Sequence, residues 1–545
     1  MNKFIKTKVF PFLGVLICLT VILIPACEND PEEPGEKPSP PPPQKTFSYS
    51  QYGAVGDGET DDFDAIIATH EAANAVGAKV KADAGATYYI GNAQKTAVIK
   101  TDTDWTGAEF IIDDSELLFE ERTLTGNFKE RVWQDSWVFA ITPSLDSYRV
   151  DSIATLEKNQ SKLNESFPQS TLFVALDNTT TRYIRRGENA NSGVAQRDVF
   201  VVDKNGNVDM DAPIIWDFNN ISSLTAYPID EKTLTVTGGR FTTINNQGNA
   251  DDRYMRRGIN VIRSNTVIDG IDHEITGERI PASNSATDLL QGGASYYGFL
   301  YFENCANVTV KNSKLCGHRG YRRPSQTGTT RGSYDIQAIT TVNLSVIDTD
   351  QYREITNGTY WGIFASNYSK NIKLDNVKFS RFDAHMGVYN TTITNSELGY
   401  QGCSIIGSGE LLIENTSVSG ANFIYFRDDY GSTWEGEVTL RDCTFNPTSW
   451  DNARIFHTNN DGAHNFGYPC YMPETITIEG FTVNDAGAPS SYGGVYLVGG
   501  AGSVGQYGFE LTKTIYISGF VSSKPYRFSN TFLSSRIQVV DSDSL

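Results

Sequence analysis

The chain has 545 residues, 20% of them charged, and a formal net charge of −20 at pH 7. A chain this acidic excludes general binding to nucleic acid phosphates, though not a locally basic cleft. It holds no P-loop and no H-E-x-x-H zinc motif.

Lys3, Lys6 and Lys8 precede an apolar run over residues 9–24, which ends in Leu23-Ile24-Pro25-Ala26-Cys27. A basic start, an apolar middle and a small residue before cysteine predict a secretory signal of the bacterial lipoprotein type over residues 1–26, with Cys27 lipidated. The run is short for a membrane span and ends in proline and cysteine. Residues 1–26 carry three lysines and no acid, so the chain beyond Ala26 stands near −23. The acidic patch Glu28-Asn29-Asp30-Pro31-Glu32-Glu33 resembles the surface-export signal of Bacteroidetes lipoproteins. That implies a lipid-anchored protein on the outer membrane, exposed at the cell surface. Residues 38–43, five prolines and one serine, predict a stiff extended spacer within a linker over residues 27–45.

Next comes Tyr52-Gly53-Ala54-Val55-Gly56-Asp57-Gly58, then Thr60-Asp61-Asp62 and Ala65-Ile66. The glycines permit a tight loop with positive φ, and Asp61 is placed to cap a short helix starting near Asp62. Residues 82–90 read as a turn into a strand. This pattern resembles the N-terminal opening of the pectate-lyase-like, right-handed parallel β-helix superfamily, in which a helix caps the end of a solenoid. The resemblance implies an all-β fold over residues 46–545. It is weak on the reaction, because the superfamily holds lyases, glycosidases, epimerases and phage tailspikes.

The middle and C-terminal parts repeat one pattern: two alternating apolar residues, a corner residue, then another apolar residue. The copies are Val308, Val310, Asn312, Leu315; Ile372, Leu374, Asn376, Phe379; Leu411, Ile413, Asn415, Val418; Val438, Leu440, Asp442, Phe445; and Ile476, Ile478, Gly480, Val483. Looser copies lie at 234–241, 266–273 and 391–398. Alternation predicts strands, and Asn, Asp or Gly predicts a left-handed corner. A constant core pattern at uneven spacing predicts a β-solenoid with loops leaving one side. A second strand precedes most copies, as at 299–302, 361–364, 423–426, 454–456 and 495–497. Segment 110–235 is less regular, and residues 146–167 read as an excursion. Cys305, Cys316, Cys403, Cys443 and Cys470 lack zinc-ligand spacing and read as buried free thiols.

Equivalent residues on neighbouring coils form rows along which a polymer could lie. Phe426-Arg427 and Phe456-His457 each end a strand and look in register. His318, Arg381 and Tyr400 follow their anchors at matching distances and are candidate groove-lining groups. Residues 304–334 contain no acid but hold Lys311, Lys314, His318, Arg319, Arg322, Arg323 and Arg331. That segregation points to an anion site on a loop from Gly317 to Arg323, arginine suiting carboxylate or sulfate. In the segment 381–389, Asp383, His385, Gly387 and Tyr389 alternate, and in a straight strand they share one face.

Three chemistries fit. Elimination on a uronic acid polymer needs a base for the C5 proton, a group that neutralises the carboxylate and a donor for the leaving oxygen. The candidate catalytic residues for it are His385 as base or carboxylate-neutralising group, Tyr389 or Tyr430 as donor, and Arg427 and His318 binding carboxylate or sulfate. Candidate substrate-binding residues are Arg319, Tyr321, Arg322, Arg323, Arg381 and His457. Hydrolysis of the polygalacturonase type needs paired acids; of that family's motifs only Asp428-Asp429 is matched in order. The third reading is a non-catalytic surface glycan-binding protein. Epimerisation at C5 would use the same groups as elimination. Among β-helix enzymes the chain resembles lyases acting on glycosaminoglycans such as chondroitin and dermatan sulfate or hyaluronan, which implies an anionic polysaccharide as partner; pectin and alginate stay open. Cofactors are undecided. Ca²⁺ could be held by Asp428 and Asp429 with Asp383 or Asp461, but no loop has calcium-ligand spacing, and salt bridges to arginine are the favoured reading of these acids. A monomer is expected.

Overall fold

The computed structural model describes residues 45–542 except 92–93, 118, 124–128, 134–135, 188–192, 247–253, 281–294, 323–329, 332, 363 and 503–504. The expectations for the signal, Cys27 and the linker through residue 44 therefore lie outside the described residues.

From Lys45 onward the chain is one compact unit, a right-handed parallel β-helix whose strands join in one 32-stranded sheet. Each coil supplies up to three strands, and these form three rows. One row runs from Ala97–Ile99 through Phe139–Ile141, Ile259–Val261, Leu300–Glu303 and Ile336–Ile339 to Phe364 and beyond. The second carries the repeat anchors: Val236, Ile268, Val310, Val346 and Leu374 pair in sequence, as do Ile393, Ile413, Leu440, Ile478 and Ile517. All ten are at most 2% exposed. The two degenerate copies at 234–241 and 266–273 are thus true coils; the coil at Val346 was not among the sequence-derived copies. The third row continues from Arg240–Ile244 and Asp272–Thr276 to Thr444–Pro447 and Thr482–Val483.

The corners follow the expected chemistry. Asn312, Asn376, Asn395, Asn415 and Asp442 take φ of 46–53°, and Gly480 takes 65°. A second corner, not anticipated, carries Asn265, Asn307, Asn343, Asn371 and Asn390, also left-handed. The amides of Asn307, Asn343, Asn371 and Asn390 each donate to the asparagine side-chain oxygen of the coil before, at 2.9–3.1 Å, and that of Asn265 donates to Asp230 O. Asparagine tolerates the left-handed backbone and its amide closes the ladder, so both demands are met by one residue type.

At the N-terminal end, helix α1 (Phe63–Val76) covers the core with Phe63, Ile66 and Ala73. Asp61 accepts from Phe63 N at 3.0 Å, and Asp62 accepts from Val55 N and Gly56 N of the glycine loop. All five cysteines of this unit are buried and free.

Residues 142–233 leave the solenoid and include a four-stranded antiparallel sheet of Tyr148–Arg149, Thr171–Arg182, Val194–Val202 and Ser223–Pro228. Phe173, Phe200, Phe218 and Leu224 fill its own core. It docks through a buried ion pair, Lys370 Nζ to Asp198 Oδ1 at 2.7 Å, both side chains 1% exposed. Asp198 also accepts from Val199 N and Ile215 N. Lys370→Met strands the Asp198 charge and is expected to cost about 3–5 kcal/mol, read as a lower melting midpoint. The pair K370M/D198N leaves no buried charge and is expected to recover most of that loss.

Candidate functional site

From Phe364 the chain runs through one whole coil, past the left-handed Tyr368, Asn371 and Asn376, and returns to the first row at 381–385. Phe382 stacks on Phe364 in the core at 5.2 Å, so Arg381, Asp383 and His385 face outward. Asp383 is nonetheless fully buried. Its two oxygens meet Arg381 Nη2 at 2.7 Å, Arg427 Nη1 at 2.8 Å, His385 Nε2 at 2.6 Å and the Tyr334 hydroxyl. Trp361 Nε1 donates to that hydroxyl at 3.0 Å and its ring carries the Arg381 guanidinium. Arg427 turns its other side to Asp429 at 2.7 Å, which Arg185 of the inserted segment meets at 2.7 Å. Arg186 lies 3.7 Å from Asp428 and 3.4 Å from Asp461. Four arginines thus face four carboxylates, and the cluster is neutral until His385 takes a proton.

Burial works to raise the Asp383 carboxyl, but Arg381, His385 and Arg427 outweigh it and hold it well below the usual range. Burial likewise would raise Asp429, and Arg427 and Arg185 hold it down. At His385 burial pushes the imidazole below its usual value, against Asp383 and with Arg427. An ionised carboxylate only accepts, so Nε2 of His385 is the protonated nitrogen and Nδ1 keeps its lone pair. The side chain is 30% exposed. A buried carboxylate that orients a partly exposed neutral imidazole is suited to accepting a proton.

The other sequence-derived candidates are placed as follows. Tyr430 is buried at the end of a short 3₁₀ turn (Asp428–Tyr430), with the Arg185 and Arg427 guanidiniums each 5.6 Å from its ring; burial raises its phenol. Tyr389 does not continue the face of Asp383 and His385. Gly387, at φ 77°, breaks the alternation, and Tyr389 lines an adjoining cleft. Arg381 and Arg427 are spent on carboxylates, so they hold Asp383 rather than line a groove. His318 is also buried, between Glu278 at 3.7 Å and Asp335 at 4.0 Å, and stacks on Tyr296. Burial lowers its imidazole. Arg319 N donates to Glu278, and Lys311 pairs with Asp269 at 3.1 Å. The acid-free stretch is thus answered by acids of other coils. Tyr321 and Arg322 lie on a two-residue strand paired with Thr330–Arg331; Arg323 lies outside the described residues. Tyr400 is exposed.

The expected register of Phe426 with Phe456 is off by two: Ile424 pairs with Phe456 and Tyr425 with His457. His457 packs edge-on to Tyr425 at 5.0 Å, and burial pushes it down to about 4. His464 Nε2 lies 3.0 Å from Ile184 O and ties down the inserted segment. Among the described residues no group of three or more His, Cys, Asp and Glu side chains is placed to hold a metal. The carboxylates proposed for Ca²⁺ face arginines instead. Arg185 and Arg186 were missed by the sequence reading; their only signal was a paired arginine in an irregular segment.

No protein-family model matches the chain, and no curated protein matches it. Among solved structures it is similar to the Gp54 tailspike of Acinetobacter baumannii bacteriophage AP22, solved with A. baumannii capsular saccharide (TM-score 0.48, 10% identity, 91% of this chain and 79% of that one). It is also similar to the Streptococcus pneumoniae surface protein and adhesin PfbA (0.45, 12%, 89% and 100%) and to the Yersinia enterocolitica family 28 exopolygalacturonase (0.32, 12%, 91% and 78%). These likenesses concern the course of the chain; the fold rests on the strand register above.

Asp383→Asn removes the charge that opposes burial at His385. The imidazole pKa is expected to fall further, moving its NMR titration to lower pH, while the stranded Arg381 and Arg427 lower the melting midpoint.

Proposed function

We propose that this protein is a carbohydrate-active enzyme that cleaves an anionic, uronic-acid-containing glycan by β-elimination, with His385 as the base. The observation that carries the reading is the Asp383–His385 pair, an ionised buried carboxylate fixing a neutral, partly exposed imidazole on the outer face of a coil row. A neutral imidazole is ready to take the C5 proton near neutral pH, and the imidazolium that forms is stabilised by Asp383. Arg381 and Arg427 act at one remove, keeping Asp383 ionised. Tyr430, its phenol raised by burial, is protonated and next to the cluster, the state a donor to the leaving oxygen needs. A glycosaminoglycan such as chondroitin or dermatan sulfate, or hyaluronan, is the substrate class proposed. The lipoprotein-type N-terminus supports placing this activity at the bacterial cell surface.

Hydrolysis at Asp428 and Asp429 is less well supported. Protonating a glycosidic oxygen calls for a carboxyl raised above its usual range, whereas Asp429 is held below it.

The test is ultraviolet absorbance with the protein on chondroitin sulfate, dermatan sulfate, hyaluronan, heparin, pectate and alginate. Elimination leaves a 4,5-unsaturated uronate that absorbs; hydrolysis leaves only new reducing ends; epimerisation changes the uronate without shortening the polymer. His385→Ala is expected to lower kcat by about 10²–10⁴ with little change in melting. Because neutral His385 is the active form and burial lowers its pKa, kcat/KM should rise with pH and reach half its plateau below pH 6.5, the usual imidazole value. Full activity in His385→Ala, or reducing ends without absorbance, overturns the reading.

A further inference from the structure

Next to the His385 cluster, across Tyr183, lies a cleft of about 340 Å³ between the inserted segment and the solenoid. Its floor is made by consecutive coils in register. Val388 pairs with Gly407 and Gly407 with Trp434, Tyr389 with Ser408 and Ser408 with Glu435, and Gly409 with Gly436. Tyr389, Ser408 and Glu435 therefore form one outward row at about 4.8 Å per step. Gly407 and Gly436 beside this row cannot be replaced without displacing backbone. A Cβ on Gly407 would stand 1.9 Å from Val388 O, and one on Gly436 2.1 Å from Gly409 O. The floor is bare backbone on either side of a short polar row.

The walls are aromatic: Trp216 and Tyr183 from the inserted segment, Tyr468 and Tyr471 from a solenoid loop. The Arg182 guanidinium packs on Trp216 at 4.5 Å, and Tyr183 packs against Tyr468 at 5.1 Å, so both walls are held from behind. The charge in the cleft is tied up in ion pairs. Lys158 is the one cation among its described lining residues, and its Nζ is 2.8 Å from Glu435 Oε1. Glu474 is a second carboxylate of the lining, and Lys513 pairs with it at 2.5 Å.

We infer that this cleft is a binding site for an uncharged pyranose, a neutral hexose or an N-acetylhexosamine. Aromatic faces carry negative charge density and take the C–H face of a sugar ring, while hydroxyls on the ring edge find acceptors in Glu435 and Ser408. A uronate or sulfate finds no free cation here, because the lysines at the cleft already hold Glu435 and Glu474, whereas an uncharged ring brings no charge that needs a partner. The chemistry is thus the complement of that proposed for His385, and the binding claim does not depend on that reaction. Joined to it, and resting on it, the cleft implies a glycan that contains uncharged as well as acidic residues.

Saturation-transfer NMR with the protein and four probes decides it: N-acetylglucosamine, methyl β-galactoside, glucuronate and galacturonate. The neutral probes are expected to give signals, strongest for the ring C–H protons, and the uronates to give at least ten-fold less. Ser408→Trp fills the floor and Tyr471→Ala removes a wall; both are expected to lower the neutral-sugar signal at least ten-fold, with melting curves checking the fold. His385→Ala should leave it intact. Equal signals from uronates, or neutral-sugar signals that survive both cleft variants, overturn the assignment. Loss of turnover in His385→Ala with binding preserved would separate this site from the reaction, and binding without turnover in the wild type would retain this site and reject the elimination.

Discussion

Everything in this molecule hangs on turning a chain through sharp corners while stacking coils one strand spacing apart. A left-handed corner costs an ordinary L-residue about 1–2 kcal/mol, and at ~4.8 Å between coils there is no room for a looser turn. Asn, Asp and Gly remove most of that cost, and asparagine also gives its amide to the coil before it. The ladder of Asn265, Asn307, Asn343, Asn371 and Asn390 therefore sets where each coil sits on the last. Once register is fixed at the corners, it is fixed for the outward rows as well.

The His385 cluster is a product of that register. Asp383 aligns with Ser404 and Ser404 with Tyr425, so Arg427 approaches from two coils away, a span of about 10 Å. Only a long side chain bridges it, and it does so past Ser404, which is small and buried. Gathering so much charge out of water is costly, and such clusters contribute little net stability. What this one supplies is geometry. Four donors saturate Asp383, so its carboxylate has no freedom to turn away from His385. The imidazole is the single member of that set left substantially open to solvent, and the titrating proton sits where a substrate can reach it.

The parts of the fold that were legible in the sequence are those encoded within one coil. The anchors Val310, Leu374 and Ile413 and the corners Asn312, Asn376 and Asn415 lie within a few residues of one another, so the pattern survives any loop length between coils. The pairing of Asp383 with His385 was also legible, because two positions apart on a strand is a local relation. Relations between coils were not. The acid-free stretch around His318 looked like an anion site because its partners Glu278 and Asp269 arrive from the preceding coil, about 40 residues earlier. Phe426 and Phe456 looked equivalent because each is a core-facing Phe followed by a basic residue, but Phe456 is the third residue of the strand Arg454–Asn460, and a slip of two residues keeps the same faces in and out. Nothing in either strand distinguishes the two registers; the loops between them do.

The inserted segment matters most for function because it joins two surfaces that a bare solenoid would leave separate. Its chain leaves the antiparallel sheet at Arg182, and four residues between there and Arg186 do different work. Arg182 covers Trp216, Tyr183 stands between the cleft and Tyr430, Arg185 closes on Asp429, and Arg186 reaches Asp428 and Asn459. The buried pair Lys370–Asp198 pins the same sheet to the coil just ahead of Asp383. A shift of the insert would therefore disturb both sites together, withdrawing Arg185 from Asp429 and a wall from the cleft at the same time. The solenoid supplies the rows and their spacing. The insert decides which rows become a site, by packing on the coils at Ala306 and Val342 and bringing Arg185 and Tyr183 against the coils at 381–389.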